Sequence, residues 1–338
     1  MPELSSAAAG PGSVGTPSLW AVTIAGVIAL LVLDFAVTRR PHEVSLKEAL
    51  GWSAFYVALP LTFGAWVWFE FGSERGFDYL TGYLVEKSLS VDNLFVFMLL
   101  LAAFAVPSVL AQRVLLFGIT GALVLRGVFI ALGHAALQTL DFAFLIFALI
   151  LLFTAAKLLR DAVTGREQTV DIGGMRSVRL LRRVMPVVHE YHGTKMVVRV
   201  DGRRTLTPLA LVVVAILATD VVFAIDSVPA VYGITEDPYL VFATNAFALL
   251  GLRALYFVLH AALSRLVHLS YGLAVILAFI GVKLGLHWAH GIWSGVPEIP
   301  TEVSLLVIVG VLVTVTITSL RATRNAAPGS TEVVTERQ

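Results

Sequence analysis

The chain contains no cysteine, which closes disulfides, thiolate metal ligands and thiol redox catalysis to it. Charge is scarce too: Asp, Glu, Lys and Arg make up 14% of the 338 residues, against about 25% in a soluble domain. The eight histidines show no paired ligand spacing, and His134, His260 and His287 read as interfacial side chains. No nucleophile–base pair, cofactor loop or metalloprotease helix motif occurs, so neither an enzyme nor a bound cofactor is expected. The net charge of +1 gives no reason to expect nucleic-acid binding.

Apolar sequence takes the place of charge. Hydrophobic residues reach 58% and the mean hydropathy is +0.87. Runs able to cross about 30 Å of hydrocarbon lie at 18–38, 52–70, 79–104, 114–134, 142–158, 206–231, 240–262, 269–287 and 303–320. The expectation is an all-α polytopic membrane protein with about nine transmembrane helices, its main partner the lipid bilayer.

The Lys and Arg residues between these runs fix an orientation. Segments 39–51, 105–113, 159–205, 263–268 and the tail after 320 hold eighteen, whereas the alternate segments hold Arg75 alone. That asymmetry predicts an N-terminus outside and a C-terminus in the cytoplasm. The resulting organisation is a disordered tail 1–17, two peripheral helices 18–71, a first three-helix unit 79–158, a cytoplasmic loop 159–205, a second unit 206–287, a last helix 303–320 and a disordered tail 321–338. Within the loop, VRLLRRVMPVV (178–188) suits a short interfacial helix. MVVRVDGRRTLT (196–207) suits a hairpin turning at Asp201-Gly202, a dipeptide that fits a type I′ turn. This loop is the candidate surface for cytoplasmic protein partners.

Two apolar stretches carry the same acidic signature. EKSLSVDN (86–93) supplies Glu86, Asp92 and Asn93; DVVFAIDS (220–227) supplies Asp220, Asp226 and Ser227. A carboxylate inserted in a bilayer costs about 2.5–3.5 kcal/mol, so it is rare without a partner or a task. Four in two matched sets point to a cation site. The likeness continues in LRGVF (125–129) with LRALY (252–256), aligning Arg126 with Arg253, and in FTAAKLL (153–159) with FIGVKLG (279–285), aligning Lys157 with Lys283. Three helices per unit is an odd number, so the second copy enters the membrane the other way round. Such inverted repeats are the plan of secondary transporters, with the site at the repeat interface.

Residues six apart on a helix point about 120° away from each other. Glu86 and Asp92 therefore share one ligand only if the helix unwinds or one of them pairs elsewhere. Pro229 predicts a break in the helix over 206–231, freeing the carbonyl of Ile225. The candidate metal ligands are Glu86, Asp92, Asp220 and Asp226. Asn93, Ser227, Ile225, Asn245, Thr244 and Asp34 are possible accessory ligands, and Arg126 and Arg253 are charge-compensating cations. Purely structural ion pairing by the two arginines is the competing reading. Carboxylate, amide, hydroxyl and carbonyl oxygens together suit a hard cation such as Mg, Ca or Mn.

The strings LTGYLVEKSLSVDNLFVF (80–97), TDVVFAIDSVPAVYGITEDP (219–238), TNAFALLGLRALYF (244–257) and YGLAVILAFIGVK (271–283) closely resemble the TerC/Alx family of bacterial integral membrane proteins. HEVSLKEALGWS (42–53), YHG (191–193), TPL (207–209) and the first helix with Asp34 extend the likeness over nearly the whole chain. Val228, Val231, Tyr232 and Gly233 depart from the family pattern without touching a proposed ligand. The resemblance implies a multi-pass protein of the bacterial inner membrane, linked to tellurium resistance, and an activity of Mn2+ export through Glu86, Asp92, Asp220 and Asp226. A non-transporting scaffold in a stress-response complex, docking through 159–205, and an exporter of another small solute are the alternatives.

Overall fold

The computed structural model describes residues 13–37, 46–140, 142–164, 175–188, 190–200, 202–262 and 268–326. Apart from one hairpin it is helical, as lipid requires, because a helix satisfies its own backbone where no water can. The long helices are α1 (Pro17–Val37), α2 (Leu46–Phe71), α3 (Ser73–Ala103), α4 (Ser108–Thr139), α5 (Ala143–Val163), α7 (Pro208–Tyr232), α10 (Leu269–Ile292) and α11 (Thr301–Ala326). A shorter pair, α8 (Pro238–Leu250) and α9 (Leu252–Ala262), forms one span broken at Gly251. Among the described residues, eight spans are long and apolar enough to cross a membrane. α3 is a ninth long helix, and it carries most of the buried polar groups.

Local chemistry sets the boundaries. Pro17, Pro208 and Pro238 open their helices, where a missing N–H costs nothing. Gly72 alone separates α2 from α3, at φ 90°, a conformation that a side chain resists. The stretch 71–78, expected as a loop, is thus mostly helix. α11 is described to Ala326, past the tail expected from 321. At the other end, residues 13–17 are not a loose tail: the Ser13 hydroxyl and the Val14 N–H donate to Asp237 at 2.8 and 2.7 Å. The remainder of both predicted tails, 1–12 and 327–338, lies outside the described residues.

α5 packs along α10, α4 along α7, and α3 against α2, α7 and α8. Between α5 and α7 lie α6 (Arg176–Val184), β1 (Val197–Val200) and β2 (Arg203–Leu206). Val200 pairs with Arg203, leaving a two-residue turn that contains Gly202 at φ 75°; its partner Asp201 is outside the described residues.

The bundle has two distinguishable ends. At one, the Tyr191 hydroxyl donates to the Phe104 carbonyl just after α3, and Tyr271 donates to the Ala162 carbonyl near the end of α5. At the other, the start of α3, the end of α7 and the residues before α11 line a cavity of about 1280 Å³. α3 and α7 therefore run antiparallel.

Candidate functional site

Helical spacing decides which polar side chains meet. On α3, Glu86, Ser90 and Asn93 fall at i, i+4 and i+7, a single stripe, and all three are buried. On α7, Asp220 and Ser227 are seven apart, share a face and are also buried. Asp92 and Asp226 lie off these stripes and are only half-buried.

The two stripes converge on Arg126 of α4, which is 1% exposed. Its Nη1 donates to Glu86 Oε1 and, at 2.9 Å, to Asn245 Oδ1 of α8. Nη2 donates to Asp220 Oδ1 at 3.2 Å and Nε to Asp220 Oδ2 at 3.4 Å. Asn93, its amide oriented to satisfy both groups, accepts from Nη2 at 3.1 Å and donates to the Leu89 carbonyl at 3.2 Å. Four helices thus meet at one guanidinium. When both carboxylates are ionised, one arginine leaves the cluster one positive charge short of neutrality. Glu86 Oε2, Ser90 Oγ and Ser227 Oγ are buried without a hydrogen-bond partner among the described residues. Each such group costs about 1–3 kcal/mol in desolvation. A cation bound to these oxygens would supply both the missing charge and the missing partners.

The four acids do not form one ring. No group of three or more His, Asp or Glu residues among those described is placed to hold a metal ion. Glu86 and Asp220 meet through Arg126, whereas neither Asp92 nor Asp226 forms an ion pair with a described residue; Asp226 accepts from backbone N–H groups of its own helix, including that of Ser227. Asp226 remains within electrostatic reach of Arg126 and Glu86. Six residues of helix amount to about 9 Å. Because α3 and α7 are antiparallel, Asp92 and Asp226 lie beyond Glu86 and Asp220, respectively, in opposite directions along the bundle.

Other expectations need correction. α7 is continuous through Pro229. The helix beyond it is buried, and Tyr232 is tied to the Ile130 carbonyl at 2.8 Å, so packing on both sides carries the one lost bond. Ile225 is 46% exposed, on the side of α7 away from Asp220. Arg253 compensates none of the four acids: its Nη2 and Nε donate to Asp34 at 2.8 and 3.3 Å, and Nη1 to Gln112 at 3.4 Å. Asp34 also accepts from the Tyr56 hydroxyl at 2.9 Å, which makes it a clamp between α1, α2 and α9 rather than a ligand of the central cluster. The Thr244 hydroxyl is spent on its own helix, at the Val241 carbonyl 2.9 Å away.

The interruption expected at Pro229 occurs instead at Gly251. There the last carbonyls of α8 lose their helical partners and present the negative end of a half-helix. Lys87 Nζ donates to one of them, Ala248 O, at 3.3 Å. Sequence reasoning missed this contact and Ser90, although four residues after Glu86 is the spacing that would have found the serine.

The cavity end carries a second polar cluster. His287 contacts Glu298 at 2.8 Å and Glu236 at 3.4 Å, and its hydrogen bond holds the Glu236 carboxyl below its ordinary range. Lys283 and Asp78 line the same cavity, whereas Lys157 is exposed on α5.

A family profile described as "Integral membrane protein TerC family" matches residues 71–327. An uncharacterized membrane protein of Myxococcus xanthus, STKORF319, is 41% identical over 315 residues, covering 93% of this chain and 95% of that protein. The uncharacterized membrane protein Rv2723 of Mycobacterium tuberculosis H37Rv is 42% identical over 321 residues, 91% of this chain and 80% of its own. Alx of Escherichia coli K12, whose proposed role is that of a membrane-bound redox modulator, is 39% identical over 312 residues, 89% of this chain and 94% of its own. No solved structure matches significantly.

Proposed function

The chain belongs to the TerC family of integral membrane proteins, and we propose that it is a secondary transporter exporting a hard divalent cation, Mn2+, across the bacterial inner membrane. The observation that carries this reading is the Arg126 cluster. Carboxylates from two antiparallel helices are held at one guanidinium, and the same two helices bury Glu86 Oε2, Ser90 Oγ and Ser227 Oγ without a hydrogen-bond partner among the described residues. Carboxylate, hydroxyl and amide oxygens favour a hard cation over zinc or copper.

In this mechanism Arg126 holds the acids together while the site is empty. The incoming ion takes over Glu86 and Asp220, gains the hydroxyls of Ser90 and Ser227, and frees the guanidinium to lean on Asn93 and Asn245. Ion and arginine alternate on the same oxygens, so the protein never leaves two bare carboxylates in lipid. Asp92 and Asp226, displaced towards the two ends, serve as staging ligands on either side of the centre.

Alternating access draws support from the packing. The two proposed repeats, α3–α5 and α7–α10, contact each other reciprocally: α3 meets α8 where α4 meets α7, and α5 meets α10. That is the pattern expected of a pseudo-two-fold axis in the membrane plane. On this reading the basic segment 175–207 faces the cytoplasm, as the excess of Lys and Arg there favours, and the N-terminus and the cavity face outside. Redox modulation, the role proposed for the E. coli relative, cannot pass through thiols here, because the chain has none. Redistribution of a redox-active metal is a route that remains open to it.

The test is Mn2+ flux into proteoliposomes loaded with a Mn2+-sensitive dye. Glu86→Gln and Asp220→Asn should each reduce flux at least tenfold. Folded variants that transport like the wild type would sink the assignment.

A further inference from the structure

Residues 175–207 carry eight Lys and Arg against Glu190 and Asp201. Orientation in a membrane needs only the charge, yet this segment is built. α6 buries Val178 and packs on α7, and Tyr191 is fastened to the Phe104 carbonyl. β2 ends two residues before α7 begins. A four-residue strand extends about 13 Å, so the hairpin stays close to the bilayer surface. That reach is comparable with the screening length of about 8–10 Å at physiological salt.

Within the hairpin, Arg199 and Arg204 are direct cross-strand partners and both are exposed. Side chains so placed are about 5 Å apart at Cβ, and like charges there oppose pairing. No carboxylate among the described residues pairs with either arginine. An anion seated between them would turn the repulsion into attraction. Exposed aliphatic side chains accompany the cations of this segment: Val197 on the face of β1 that carries Arg199, Val200 on its other face and Leu180 on α6, at 46, 41 and 63% exposure. Cations interleaved with exposed aliphatics suit the boundary between headgroups and acyl chains. A purely electrostatic partner such as a nucleic acid has no use for the aliphatic residues.

We propose that α6 and the β1–β2 hairpin form a docking surface for anionic phospholipid, with a lipid phosphate between Arg199 and Arg204 and the aliphatic side chains dipping into the same leaflet. This surface is independent of the ion site and stands whether or not the chain moves metal.

The absence of cysteine makes the test direct. Leu180→Cys gives the full chain one labelling site for an environment-sensitive fluorophore. In nanodiscs, emission should shift to the blue when phosphatidylglycerol replaces phosphatidylcholine, and the shift should disappear with Arg199→Gln/Arg204→Gln. Arg204→Glu is the control for folding: it creates a cross-strand ion pair and steadies the hairpin, yet it too should abolish the shift. Equal emission in the two lipids, or a shift that survives Arg204→Glu, overturns the proposal. So does an equal shift from inorganic phosphate or from an oligonucleotide added to phosphatidylcholine discs.

Discussion

Arg126 grips Asp220 with two nitrogens, Nη2 to Oδ1 at 3.2 Å and Nε to Oδ2 at 3.4 Å, across ninety-four residues of sequence. The two-point contact makes α4 and α7 share one rigid joint, and Glu86 of α3 closes it from the other side. Removing one partner of a buried pair costs about 3–5 kcal/mol, because the remaining charge stays buried alone. Arg126→Ala strands two carboxylates at once. Its melting temperature should fall well below that of Glu86→Gln, which keeps an acceptor for the guanidinium. Mn2+ should restore part of the loss in Arg126→Ala by standing in for the arginine. Equal melting of Arg126→Ala and wild type would show that the joint is not buried as described.

Ser90 allows a test in which stability and binding move in opposite directions. Among the described residues its hydroxyl is buried with no hydrogen bond of ordinary geometry and only approaches Glu86, so Ser90→Ala removes a polar group from whose burial the empty protein gains little. Stability without metal should stay level or rise by about 1 kcal/mol. The stabilisation gained on adding Mn2+ should shrink. Thermal melts with and without the ion distinguish the cases: a large loss of stability in the metal-free variant would mean that Ser90 is structural.

The contrast between Ser88 and Ser90 shows where sequence reasoning stops. Ser88 donates to the Leu84 carbonyl at 2.6 Å, the usual fate of a helical serine; Ser90 does not, and nothing local in the sequence separates the two. The membrane class was legible because a spanning helix must be apolar along its length. The central triad was half legible, because Glu86, Asp220 and Arg126 stand out against apolar neighbours. Which acid each arginine chose was not. Arg253 reaches Asp34 across 219 residues, a matter of helix packing rather than spacing. The alignment of Arg253 with Arg126 suggested a shared role that the two pairings do not bear out. Pro229 was the visible candidate for a helix break, but the break fell at Gly251, where Lys87 meets the buried Ala248 carbonyl of α8.

The Asp34–Arg253 pair should behave as a fastener. Both side chains are buried, and Tyr56 and Gln112 complete their hydrogen bonds. Asp34→Ala should destabilise the protein by about 3–5 kcal/mol, whereas Asp34→Asn, which keeps an acceptor, should cost less. Neither change should alter the apparent affinity for Mn2+ in the fraction that stays folded. An affinity change without a stability change would move Asp34 from the fastener to the ion path.

The antiparallel course of α3 and α7 leads to the most specific expectation. Asp92 lies six residues beyond Glu86, towards the end of the bundle that carries the hairpin; Asp226 lies six residues beyond Asp220, towards the cavity. Each is about 9 Å along its helix from the central acid, so each meets the ion from one side only. Asp92→Asn should raise the Mn2+ concentration needed for half-maximal flux several-fold when metal is offered at the hairpin end, and change it little from the cavity end. Asp226→Asn should show the opposite sidedness. Proteoliposomes sorted by orientation, with metal supplied to one face at a time, measure this directly. If either variant is impaired equally from both faces, all four acids act at one centre and the staging role falls.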